Sequence, residues 1–71
     1  MIRREAEMLK DSGDIIRRLK QDGFKLVSIT GSHHKFRHPV SNKTTIVTHP
    51  RREIALGTVR AIYKQVGWKK D

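Results

Sequence analysis

Four histidines, His33, His34, His38 and His49, fall in one stretch of this 71-residue chain, and the acidic residues are absent from it. Between Asp22 and Glu53 there is no carboxylate, whereas Lys25, Lys35, Arg37, Lys43, Arg51 and Arg52 all lie there. Histidine among cations suits the cleavage of RNA through its own ribose. An imidazole, with an unperturbed pKa of about 6.5, takes a proton from a 2′-hydroxyl near neutral pH, and neighbouring cations hold the phosphate and stabilise its developing charge. The same gap removes the oxygen ligands that hold Mg²⁺ at two-metal nuclease sites, so no metal is expected. Neither a His-x₃-His pair on a helix nor any cysteine points to a transition-metal site. A Ser/His/Asp arrangement is unsupported too, since Ser32 is merely adjacent to His33 and no acid lies nearby to orient the ring.

The charge balance agrees with a polyanionic partner. Sixteen Lys and Arg against seven Asp and Glu give a net charge of +9, a strong positive field on so small a body. At this length one domain is expected, with a thin core, because only 35% of the residues are hydrophobic. With no cysteine, disulfide staples and thiolate zinc sites are excluded, which fits an intracellular setting. No apolar run approaches the roughly 18 residues of a membrane span, and Met1-Ile2-Arg3-Arg4-Glu5 is too charged for a secretory signal. The expectation is a cytoplasmic, soluble protein with no membrane partner and no small-molecule cofactor.

The elements that must position the histidines follow from punctuation and periodicity. Ser12 as N-cap, Asp14 in the first turn and a stop at Gly23 predict a helix near 13–22, with Ile15, Ile16 and Leu19 on one face. Phe24 to Thr30 is β-branched and aromatic, Gly31-Ser32 is a turn, and His33 to His38 alternates until Pro39. Ser41-Asn42-Lys43 is a second turn, and Thr44 to Thr48 is β-branched throughout. His49-Pro50 must leave the sheet. Val59, Ile62, Tyr63 and Val66 then predict a helix near 58–66 that opens at Gly57-Thr58 and stops at Gly67. The result is an α+β fold of order α-β-β-β-α, an antiparallel three-stranded sheet with both helices on one face and the other face open. Residues 1–11 form an N-terminal extension outside this plan, disordered in expectation; 12–68 form the domain; Trp68 with 69–71 reads as a loosely held tail.

Strand alternation sorts the candidates. Phe36, a large aromatic, should meet the helices, which places His34 and His38 on the covered side and His33, Lys35 and Arg37 on the open face. His33 is then the candidate base, with Gly31 and Ser32 as the turn before it. His34 reads as a half-buried, hydrogen-bonded residue, His38 as the end of its strand, and His49 as a neighbour of the hairpin or a ligand of a loop carbonyl.

Gly23-Phe24, Gly31-Ser32-His33-His34-Lys35-Phe36, His49-Pro50, Ile54, Gly57-Thr58, Ile62, Lys64-Gln65 and Gly67 together resemble the HicA family of toxin–antitoxin mRNA interferases, over residues 12–68. The resemblance implies a double-stranded-RNA-binding-domain-like fold, cleavage of mRNA without the ribosome, and neutralisation by a HicB-type antitoxin. It also implies a catalytic histidine in the Gly-Ser-His segment, which here offers both His33 and His34; alternation ranks His33 first and leaves His34 as the alternative. Lys25, Lys35, Arg37, Lys43, Arg51 and Arg52 are the expected RNA contacts. The competing function is a binding module that grips duplex RNA without cutting it, through Arg17, Arg18, Lys20 and Arg60. Histidine in the hairpin argues against that module, because Lys or Arg would serve binding equally well.

Overall fold

Helix α1 (Ser12–Gln21) is capped by Asp11, not by Ser12 as the sequence led us to expect. The Asp11 carboxylate accepts from the Gly13 and Asp14 amides (2.7 and 3.4 Å), two of the donors a helix start leaves unpaired. That frees Ser12 to turn inward, where it is buried. The structure is a computed structural model that describes residues 8–69. After α1 come β1 (Lys25–Thr30), β2 (His33–Arg37), β3 (Thr44–Thr48) and α2 (Leu56–Val66). The order is the expected α-β-β-β-α, with an antiparallel sheet in the order β1-β2-β3. Helix α2 starts before Gly57-Thr58, behind Ala55, and no side chain caps it.

Two positive-φ residues make the β1–β2 hairpin and the entry to β1 possible. Gly31 (φ 59°) turns the chain between paired Thr30 and His33. Gly23 (φ 95°) lies against His38, and a Cβ there would come within 2.9 Å of the His38 Nε2. That nitrogen donates to the Asp22 carbonyl oxygen (3.1 Å), while His38 Nδ1 accepts from the Val40 and Ser41 amides (3.1 and 3.3 Å). The His38 ring also meets Phe24 edge-on at 5.2 Å. His38 therefore ends its strand, as expected, and pins the β2–β3 turn to the end of α1.

The core is one layer of Ile15 and Leu19 from α1, Val59, Ile62, Tyr63 and Val66 from α2, and Phe36 and Val47 from the sheet, closed by Met8, Phe24 and Ile54. Its one buried polar contact from the sheet is satisfied, since the Thr45 hydroxyl donates to Gln65 Oε1 at 2.7 Å. The helices lie over β3, Phe36 of β2 reaches into the same core, and β1 stands outside with all six residues exposed. Leu26 and Ile29, on the helix side by their pairing with Phe36 and His34, are 44% and 56% exposed.

Two expectations about the ends are corrected. Trp68 is not part of a loose tail: its indole N–H donates to Asp22, its ring meets Tyr63 edge-on, and the Arg18 guanidinium stacks 4.3 Å above it. Residues 8–11 do not stand apart from the domain either. Met8 is in the core, the Leu9 amide donates to the Tyr63 hydroxyl (2.9 Å), and the Ile54 amide donates to the Lys10 carbonyl (2.9 Å). The rest of the proposed extension, residues 1–7, and the tail beyond Lys69 lie outside the described residues. Among the described residues no helix is long and apolar enough to cross a membrane.

Candidate active site

Strand β2 is the central strand, and its side chains alternate without interruption. His33, Lys35 and Arg37 are exposed, Phe36 is buried and His34 is half-buried on the side of Phe36. The pairing carries the same assignment outward: Thr48 and Thr30 flank His33, Ile46 and Ser28 flank Lys35, and Thr44 and Lys25 flank Arg37. The open face thus presents His33, Lys35, Arg37 and Lys25 among hydroxyls and one isoleucine. A β-bulge does occur in the sheet, at Val27, but it lies in β1 and leaves the alternation of β2 intact. His33 and Lys35, two positions apart on one face, stand about 6.5 Å apart along the strand; Arg37 and Lys25 lie about 13 Å from His33.

His33 follows the hairpin turn directly, and its ring makes no hydrogen bond to another described residue. The other histidines are held. His34 Nδ1 lies 3.2 Å from the Ser32 carbonyl oxygen, which also accepts the His49 amide at 2.8 Å. The His34 and His49 rings meet edge-to-face at 5.2 Å, and His49 Nδ1 is 2.7 Å from the Ser12 hydroxyl. The Ser12 hydroxyl also accepts the Arg51 amide (2.8 Å), and the Ser12 amide donates back to the Arg51 carbonyl (2.8 Å). Sequence reasoning missed the Ser12–His49 pair, whose members are 37 positions apart and joined only by the fold. With Ser12 buried, the pair is a structural strut and presents no nucleophile to a substrate.

The other expected RNA contacts divide by position. Arg51 and Arg52 are exposed in the segment that leaves β3 after Thr48, at the same end of the sheet as His33. Lys43 sits at the opposite end: its ammonium lies against Gly67, at the C-terminus of α2, where a cation complements the helix dipole. Of the basic side chains considered for duplex binding, Arg17 pairs with Asp14 (3.1 Å) and Arg18 is stacked on Trp68. Among the described residues no group of three or more His, Cys, Asp or Glu side chains is arranged to hold a metal ion.

No curated protein matches the sequence closely enough to be counted a relative. The family described as the HicA toxin of bacterial toxin–antitoxin systems matches residues 12–68, most of the chain. On that match, and with the α-β-β-β-α order and Gly-Ser-His hairpin in place, the chain belongs to the HicA toxin family.

Proposed function

We propose that this toxin is an endoribonuclease that cuts mRNA by attack of the substrate's own 2′-hydroxyl, with His33 as general base. The observation that carries the reading is the placement of an exposed, unengaged His33 on one face with Lys35, Arg37 and Lys25. His33 takes the proton of the 2′-hydroxyl as the oxygen attacks phosphorus. The bond to the 5′ oxygen breaks, and that oxygen takes a proton from water. Lys35 neutralises the phosphate at the reacting position, while Arg37 and Lys25 hold the strand further along. Because the nucleophile is already tethered to the phosphorus, positioning supplies much of the acceleration, and the carboxylate-free face is not built around a metal-activated water.

The test is an RNA oligonucleotide with a single 2′-deoxy residue at the scissile position. Cleavage there should stop while other sites are still cut, the products of ordinary RNA should end in a 2′,3′-cyclic phosphate and a 5′-hydroxyl, and EDTA should leave the rate unchanged. Cutting at the deoxy position, or loss of activity with EDTA, rules the mechanism out. Binding of duplex RNA with no cutting of any substrate would instead support the non-catalytic module.

The antitoxin implied by the family is of HicB type in this reading, and it covers the open face with carboxylates. Burying His33 with Lys35 and Arg37 under an uncharged surface would strand cations without partners, at a cost an acidic surface avoids. The exposed Ile46 of β3, paired with Lys35, lies on that face and offers apolar area to the same partner. Arg37→Glu is expected to weaken the complex by at least about 2 kcal/mol, roughly 30-fold in Kd. Calorimetry with the cognate antitoxin checks this, and an unchanged Kd would place the partner elsewhere.

A further inference from the structure

The peptide bond that carries His33 is the one whose carbonyl belongs to Ser32, and that oxygen is held from two directions. One donor is the His49 amide at 2.8 Å; the other is His34 Nδ1 at 3.2 Å. A carbonyl oxygen has two lone pairs, so both are used. A carbonyl can only accept, so His34 carries its proton on Nδ1. His49 is fixed in the opposite tautomer. The buried Ser12 hydroxyl oxygen already accepts the Arg51 amide, and its own hydrogen has the His49 Nδ1 as its partner. The His49 ring in turn stands edge-to-face against the His34 ring. A continuous chain of contacts therefore runs from the start of α1, through Ser12, His49 and His34, to the peptide plane in front of His33.

We infer that His34 and His49 are positioning residues, which clamp the Ser32–His33 peptide so that the His33 imidazole is aimed at the scissile ribose. The inference rests on His33 being the base. His33 itself has no side-chain partner, so its direction is set by its backbone alone, and that backbone emerges from a two-residue turn containing a glycine. The clamp fixes the plane of that peptide, and any tilt of the plane would swing the ring. A misplacement of about 1 Å at a reacting group costs on the order of 10²-fold in rate, so a small loss of aim is readable in kcat. This assigns the second histidine of the Gly-Ser-His-His run a purpose distinct from proton transfer. It also explains why His34 shares the covered side with Phe36 while remaining only half-buried.

The experiment measures kcat and KM for a cleavable RNA oligonucleotide, with urea unfolding in parallel, for the wild type and for His33→Ala, His34→Phe and His34→Asn. His34→Phe keeps a ring against His49 and loses the donor; His34→Asn keeps a donor where Nδ1 stands. The expected result is loss of cleavage in His33→Ala, a fall of about 10- to 100-fold in kcat for His34→Phe with KM within about 2-fold, and recovery to within about 3-fold of wild type in His34→Asn. If His34→Phe does not fold, His34→Val, which suits a strand and equally lacks the donor, takes its place. Wild-type kcat in the donor-free variant, with His33→Ala inactive, overturns the clamp. Inactivity of both His34→Phe and His34→Asn at the level of His33→Ala overturns it as well, because His34 would then act on the substrate itself. Activity in His33→Ala refutes the underlying assignment of the base and not the clamp alone.

Discussion

His33→Ala is expected to abolish RNA cleavage while leaving the protein as stable as before. The two halves of this expectation have separate causes. Loss of activity follows from removing the base, a contribution of about 10²- to 10⁴-fold for a positioned proton acceptor. Retention of stability follows from the exposure of the ring and its lack of hydrogen-bonded partners among the described residues, since substitutions at such surface positions stay within about 0.5 kcal/mol. The clamp on the Ser32 carbonyl uses the His34 ring and the His49 amide, and neither is touched by the change. Gel-resolved cleavage of an RNA substrate and a thermal melt of the same preparation check both halves. A variant that loses cleavage only in proportion to folded structure would make His33 a structural residue.

Phe36→Ala is expected to be the most destabilising single change on the sheet. Phe36 is 1% exposed on the middle strand, in the same core as residues of both helices. Removing a buried phenyl ring costs about 3–5 kcal/mol in lost transfer energy and residual cavity. A chain of this length holds only about 4–10 kcal/mol in all, at roughly 0.05–0.15 kcal/mol per residue. The variant should therefore melt far below the wild type, and its activity should vanish with its fold. Phe36→Leu keeps most of the volume and should retain both fold and cleavage. A loss below about 1 kcal/mol in Phe36→Ala, read by urea unfolding, would contradict the packing described for β2.

The face on which His33 stands was legible because one residue settled it. In a five-residue strand that alternates regularly, a single large aromatic orients every neighbour, and Phe36 did so for His33, His34, Lys35 and Arg37. The order of elements was legible because the first three connections each carry a glycine or asparagine at positive φ, Gly23, Gly31 and Asn42. What could not be read were contacts between distant segments. Ser12 and Asp11 are adjacent and both favoured as caps, and only the demand of His49 and Arg51 for a hydroxyl partner decides between them. Trp68 follows the last helix and looks like tail until Arg18, Tyr63 and Asp22 are seen around it. Lys43 reads as one more cation of the basic stretch, and its place beside Gly67 emerges only when α2 is packed on the sheet.

The bulge in β1 has a consequence for how the family can vary in length. Leu26 pairs with Phe36 and Ser28 pairs with Lys35, so Val27 is a supernumerary residue between two consecutive rungs. Deleting it would leave every other partner of β1 in place, and Lys25 would still stand beside Arg37. Strand β2 has no such slack, because each of its residues is matched on both sides. One residue gained or lost between His34 and Phe36 would send His33 to the helix side and His34 to the open one. Insertions and deletions among homologues should therefore collect in β1 and spare β2, so that the outer strand absorbs the family's length variation while the inner one keeps count.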